Sequence, residues 1–224
     1  MPGSSPPRQT APSPADGLSP VFQRLLTAEP LADQGALDIG TGRGRLALWL
    51  APRCRRVTGV DRDASAIEDA RRRASAAGVG NAEFVVFDAE DGEYAAFAPD
   101  LVVAHLCMSR AIIERAARVL VPGHVLAFVA LHADQWRETG RRSRFAYDES
   151  QARNELEATG FVVEHVDVER EVTEFSSVEQ GLAAAIALEE KWKSDGRWFR
   201  YIKFLEDGGR TLTRAHLIVK ARRR

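Results

Sequence analysis

The run from Ala36 to Asp61, ALDIGTGRGRLALWLAPRCRRVTGVD, constrains the fold of this chain more than any other stretch. Its opening, Ala36–Ile39, predicts a short strand buried on both faces. Gly40, Gly42 and Gly44 follow, where the backbone must turn sharply and a side chain would push a ligand away. Leu46, Trp49 and Leu50 recur at helical spacing over Arg45–Ala51, which predicts a helix with one stripe against the sheet. The first amides of such a helix are unpaired and carry partial positive charge, so an acidic ligand group is welcome there. Val57–Val60 predicts a second strand. Asp61 closes it 19 residues after Gly42, where a carboxylate can accept hydrogen bonds from ribose hydroxyls. Strand, glycine turn, helix, strand and acid together make a nucleotide-type cofactor site.

The details choose the cofactor. A dinucleotide fingerprint, Gly-x-Gly-x-x-Gly, would put its third glycine at position 45, which is Arg45. Asp38, two residues before the first glycine, would repel a pyrophosphate and attract an ammonium. S-adenosylmethionine carries an ammonium, a carboxylate and a ribose, and so suits both ends of the pattern. The motifs LDIGTGRGR and VTGVDRD resemble those of the class I S-adenosylmethionine-dependent methyltransferases, and the resemblance runs from about Ser19 to Val172 and resumes in the last strand. It implies that an acid after the third strand, here Asp88, bonds the adenine amino group, with the amide of Ala89 at the ring. The cofactor set it implies is Asp38, Gly40, Thr41, Gly42, Gly44, Asp61, Arg62, Asp88, Ala89 and Ala104. Read without the resemblance, Asp88 is a turn or cap residue.

Beyond Asp61 the pattern alternates. A helix is expected over Ala64–Gly78, with Ile67, Ala70, Ala74 and Ala77 inward and Arg71-Arg72-Arg73 on a solvated face. Strands are expected at Ala82–Phe87, Asp100–Leu106 and Val125–Leu131, and helices at Ser109–Leu120 and Glu149–Thr159. Phe161–Val172 and Leu212–Lys220 predict the last two strands. This is an α/β chain with a doubly wound sheet, and the resemblance implies seven strands, the last antiparallel. The expected organisation is a tail over 1–18, a core over 19–172 and 211–221, and a helical insertion over 173–210.

Ligands in such sheets bind beyond the carboxyl ends of the strands, which brings His105 and His132 toward the glycine turn. His105 is the candidate catalytic base, because the resemblance puts the fourth-strand end beside the donor methyl. A histidine bonded to backbone at a strand end is the plainer reading. Cys107 reads as a buried free thiol rather than a nucleophile. Ala133–Asp148 interleaves Trp136, Arg137, Arg141, Arg142, Arg144, Phe145 and Tyr147, a composition that fits either a solvent loop or a site for a phosphate, a carboxylate or a ring. His132, Trp136, Arg144 and Tyr147 are the candidate substrate residues. In the insertion, Ser176-Ser177-Val178-Glu179 resembles a capping box. It opens a helix with Val178, Leu182, Ala185, Ile186 and Trp192 along one side, followed by Trp198, Phe199, Tyr201 and Phe204. These aromatics suit a pocket roof or a dimer contact.

The activity expected is methyl transfer to an oxygen or nitrogen of a small-molecule acceptor. The reading calls for no metal. Its rivals are an RNA methyltransferase using Arg137–Arg144 and Arg222–Arg224 as phosphate contacts, and a non-catalytic cofactor-binding subunit. A formal charge of −1 over 224 residues counts against a nucleic-acid partner. Cys54 and Cys107 are too few for a disulfide framework, and a cytoplasmic monomer or homodimer without membrane contact is expected. The tail, with Pro2, Pro6, Pro7, Pro12 and Pro14, cannot bury a core and lacks the apolar segment of an export signal. Order is expected from Ser19-Pro20, an N-cap followed by proline at the first helical position.

Overall fold

The computed structural model describes residues 17–143 and 145–224. The tail prolines and Arg144 lie outside the described residues. β1 (Gly35–Ile39), β2 (Arg56–Asp61), β3 (Ala82–Val86), β4 (Leu101–His105) and β5 (Val125–His132) are parallel. β6 (Ala146–Tyr147) adds a two-residue parallel pairing at the end of β5. β7 (Phe161–Glu174) and β8 (Thr211–Arg223) form a long hairpin, with β8 antiparallel to both β7 and β5. The order is β3-β2-β1-β4-β5-β8-β7, with β6 off this path. The doubly wound sheet is as expected, with the short β6 as an eighth strand. Two residues carry too little periodicity to be read as a strand.

Helices cover both faces. α1 (Pro20–Thr27), α2 (Arg45–Leu50) and α3 (Ala64–Ala76) bury Phe22, Leu26, Leu46, Ala47, Leu50, Ile67, Ala70 and Ala74 in one core layer. α4 (Arg110–Val119) and α5 (Glu149–Ala158) bury Ile112, Ile113, Ala116, Ala152 and Leu156 in the other. Their starts are chemically marked. The Oγ of Ser19 accepts from the Phe22 amide at 3.1 Å with proline next in the chain, and the Asp148 carboxylate accepts from the Gln151 amide at 2.8 Å. Leu18, placed in the tail by the sequence, is buried in the first layer.

Several local expectations change. In α2 the inward stripe is Leu46, Ala47 and Leu50, whereas Trp49 turns half outward and stacks under the Arg53 guanidinium at 4.2 Å. The Arg71–Arg73 run is not simply solvated, because Arg71 donates twice to the Phe84 carbonyl, at 3.1 and 2.6 Å, and Arg72 pairs with Asp69. In the insertion the N-cap is Ser177, one residue later than the expected box, and its Oγ accepts from the Gln180 amide at 3.3 Å.

The insertion holds α6 (Val178–Ala185), α7 (Glu189–Asp195) and α8 (Arg197–Glu206). A 3-10 turn at Ile186–Leu188 breaks the expected single stripe and leaves Ile186 exposed. Trp192, Trp198, Tyr201 and Leu205 pack with Trp136 and Leu212 in a third, separate core. Among the described residues no helix is long and apolar enough to cross a membrane.

Candidate active site

Strand order reverses between β1 and β4, so a crevice opens beyond their carboxyl ends. It has two parts that meet at Gly40. The inner cleft, about 190 Å³, is lined by Asp61, Arg62, Phe87, Asp88, Ala89 and Ile112, with the Leu106–Ser109 loop and Phe145 closing its rim. The outer recess, about 770 Å³, lies on the Asp38 side. Gly40 and Gly42 have φ of +65° and +54°, in the left-handed region that favours glycine. They serve different ends. A Cβ on Gly40 would overlap the Cβ and Sγ of Cys107, while a Cβ on Gly42 would meet nothing within 4 Å among the described residues. Gly40 is therefore needed for packing, and Gly42 keeps an open approach to its backbone. Gly40→Ala is expected to cost roughly 1–2 kcal/mol in left-handed strain alone, with the Cys107 overlap adding to it. An unchanged urea midpoint would overturn that packing.

The carboxylates are held by the turn they flank. Asp38 is buried, and its Oδ2 accepts from the Thr41 hydroxyl at 2.6 Å and from the Ala47 amide at 3.1 Å, which joins β1 to the first turn of α2. Its Oδ1 is buried and has no hydrogen-bond partner among the described residues. Burial pushes the Asp38 carboxyl up to about 7, and its two hydrogen bonds only partly oppose that rise. Asp61 Oδ2 accepts from the Gly42 amide at 2.8 Å and Oδ1 from the Asp63 amide at 3.0 Å, so this acid also ties two turns together. Asp88 lines the cleft while its Oδ1 accepts from the Glu90 amide at 2.9 Å, so it is a turn residue and a cleft residue at once. The Tyr94 hydroxyl donates to the Ala89 carbonyl at 2.6 Å and fixes that rim.

These residues suit S-adenosylmethionine. An unpartnered buried carboxylate oxygen asks for a cation, Gly42 leaves space for one, and the neighbouring cleft is edged by acids that can take hydroxyl and amino donors. A diphosphate would meet the same acids unfavourably.

Several other candidate residues stand elsewhere. Ala104 is fully buried within β4, and the cleft begins two residues later, at Leu106. His105 does reach the outer recess, where its Nδ1 faces the Arg45 guanidinium at 3.0 Å. Burial and that positive charge, with a smaller contribution from His216, hold its pKa at about 3, so it is a neutral acceptor for Arg45. His132 braces the sheet end, its Nδ1 accepting from the Asp134 amide at 3.1 Å and its Nε2 facing Glu149 at 3.2 Å. Trp136 belongs to the aromatic core of the insertion, and Tyr147 is buried with its hydroxyl on Glu155 at 3.0 Å. None of these last three lines the crevice.

Arg141 and Arg142 bond the protein's own carbonyls and side chains. Arg222 pairs with Glu29 and Glu164, so these guanidiniums are engaged internally. Cys107 touches the cleft, but burial, with Asp61 and Asp38 nearby, pushes its thiol up to about 11, well short of a reactive thiolate at neutral pH.

Sequence reasoning missed Phe87, Met108 and Ser109 in the inner cleft, and Arg43, Trp49 and Arg73 in the outer recess, while Phe145, one of the aromatics of the 133–148 segment, does line the inner cleft. The strand-end rule could have reached the residues just past β3 and β4. Nothing local marks Arg73, which arrives from the last turn of α3.

Residues 36–123 match the family model of the methyltransferase domain. No curated protein matches the sequence. Among solved structures, the chain is similar to the YcgJ protein of Bacillus subtilis, at 18% identity and a TM-score of 0.69 over 90% of this chain and 97% of that one. It is similar to an S-adenosylmethionine-dependent methyltransferase of Mesorhizobium loti, at 18% identity and a TM-score of 0.61 over 91% and 96%. It is also similar to phosphoethanolamine N-methyltransferase 2 of Haemonchus contortus in complex with phosphomonomethylethanolamine and S-adenosylhomocysteine. That likeness has 20% identity and a TM-score of 0.59 over 91% of this chain and 52% of that one. At such identities the structures speak for the fold, and the sequence match for the domain. Residues 36–123 thus carry the sequence of a methyltransferase domain, set in a fold that the chain shares with solved methyltransferase structures.

Proposed function

We propose that this enzyme methylates an oxygen or nitrogen of a small-molecule acceptor, with Asp38 receiving the donor's ammonium, Asp61 its ribose hydroxyls, and Asp88 with the Ala89 amide its adenine. The observation that carries the cofactor placement is the unpartnered Oδ1 of Asp38 beside the open turn at Gly42. Bound there, S-adenosylmethionine supplies an electrophilic methyl group on a sulfonium. The chain's share of the work is orientation. Cleft and recess meet at Gly40, so a donor in one and an acceptor in the other are brought together there. Positioning of this kind is worth about 7–11 kcal/mol in well-oriented reactions. With the pKa of His105 at about 3, general-base help from it is weak, and the reading favours acceptors whose nucleophile is already unprotonated near neutral pH.

The test is calorimetry with S-adenosylhomocysteine and, in parallel, a nicotinamide dinucleotide, followed by a screen of small-molecule acceptors read by S-adenosylhomocysteine release. Binding of the dinucleotide alone would sink the cofactor placement. Tight cofactor binding with no turnover on any acceptor would sink the acceptor class. Asp61→Asn is expected to weaken S-adenosylhomocysteine roughly tenfold, because a hydrogen bond to a charged group is lost at about 1.5 kcal/mol. Its circular dichroism should stay unchanged, since an amide oxygen can still accept from the Gly42 amide and only the exposed bond from the Asp63 amide is given up.

A further inference from the structure

The outer recess carries more positive charge than the bound donor can neutralise. Three arginines line it, Arg43, Arg45 and Arg73. Arg43 is paired with Asp69 at 3.2 Å. Arg45 has the neutral ring of His105, and Arg73 reaches only the Arg43 carbonyl, at 3.5 Å. Among the described residues neither Arg45 nor Arg73 has a carboxylate within ion-pair distance. Asp38, the sole acid among the described residues of the lining, is the group assigned to the donor's ammonium. The donor brings one carboxylate. Two guanidiniums against one carboxylate leave one cation over.

Size argues the same way. At about 770 Å³ the recess has the dimensions of a whole small-molecule site rather than of an amino-acid end group. Leu48 and Trp49, both half-buried, supply an apolar wall beside the charges. A carbon skeleton carrying an acid satisfies both features, and a guanidinium suits carboxylate and phosphate alike.

We propose that the outer recess is the acceptor site, and that the acceptor carries a carboxylate or phosphate seated against Arg73 and Arg45, with its apolar body on Leu48 and Trp49. The inference rests on the cofactor placement given above. In the saturated complex, Arg45 meets the donor's carboxylate as well as the acceptor, and Arg73 meets the acceptor alone.

The experiment titrates benzoate, inorganic phosphate and, as a neutral counterpart, benzamide into the full chain saturated with S-adenosylhomocysteine, read by calorimetry. Benzoate or phosphate is expected to bind, with benzamide at least tenfold weaker. Arg73→Gln should lower anion affinity tenfold or more while S-adenosylhomocysteine affinity stays within twofold. Arg45→Gln should weaken both. Absence of anion binding to a complex that holds S-adenosylhomocysteine overturns the acceptor inference and leaves the cofactor placement standing. Equal binding of benzamide, or undiminished anion binding in Arg73→Gln, overturns it too. Failure of S-adenosylhomocysteine to bind at all overturns the cofactor placement first. An anion that is displaced by S-adenosylhomocysteine, instead of binding beside it, identifies the donor's own carboxylate as the occupant and overturns the acceptor inference.

Discussion

Replacing Asp38 with asparagine is expected to weaken S-adenosylhomocysteine binding about ten- to a hundred-fold, the loss of roughly 1.5–3 kcal/mol for a charged partner. Asparagine keeps an oxygen for the Thr41 hydroxyl and the Ala47 amide, so the turn itself survives. The pH dependence separates this account from a merely structural one. In the unfolded chain the carboxyl titrates near its ordinary 3.8, whereas in the fold burial raises it to about 7. Between those values the folded state holds the extra proton, so the stability of the unliganded protein falls as pH rises from about 4 to about 7. A cationic ligand reverses the preference by favouring the ionised form. S-adenosylhomocysteine affinity should therefore climb with pH up to about 7 and then level, with proton release visible as a buffer-dependent calorimetric enthalpy. Asp38→Asn should lack both slopes. Identical pH profiles for the two proteins would dismiss Asp38 as the cation's partner.

Trp192→Ala is expected to destabilise the insertion by about 3–5 kcal/mol, the usual cost of truncating a large buried aromatic. Trp192 is fully buried, with Trp136 and Tyr201 edge-on to it at 5.3 and 5.5 Å and Trp198 tilted at 6.5 Å. The Arg197 guanidinium and the Lys191 ammonium each lie 5.8 Å from the Trp136 ring. This core shares no member with the two cores that sandwich the sheet. Loss of its central ring should therefore produce an early urea transition in tryptophan fluorescence, ahead of the main loss of far-ultraviolet circular dichroism. S-adenosylhomocysteine binding should persist, because the inner cleft takes no residue from α6, α7 or α8. A single transition at the wild-type midpoint would refute a separate core centred on Trp192.

The glycine-turn side of the crevice was legible because what shapes it is local. Asp38, Gly40, Gly42 and Asp61 lie within one strand-turn-helix-strand unit, and the backbone conformations they require are written in residue type. The rest of the molecule around the crevice depends on contacts made across the fold. Trp136 looked like a ligand-facing aromatic in a loop of arginines. It instead meets Trp192, 56 residues further on, because its amide donates to the Thr213 carbonyl at 3.0 Å and Glu138 accepts from both Thr211 and Thr213. That stitching carries the 134–139 turn onto β8, and no periodicity announces it. Trp49 failed for the opposite reason. It sits at an inward helical position, but α2 is only six residues long and Ala47 fills the place against the sheet. His105 occupies the expected strand end, yet Arg45, read in the sequence only as a missing glycine, changes what its imidazole can do.

The β7–β8 hairpin has one further consequence. Glu174 and Thr211 are a register pair, so the insertion leaves and re-enters the sheet at points directly opposite each other, about 4.5–5.5 Å apart in an antiparallel ladder. A segment tethered that way can be lengthened, trimmed or exchanged at little cost in chain closure. Foreign grafts can thus enter at this junction while the Gly40–Gly44 turn stays unaltered.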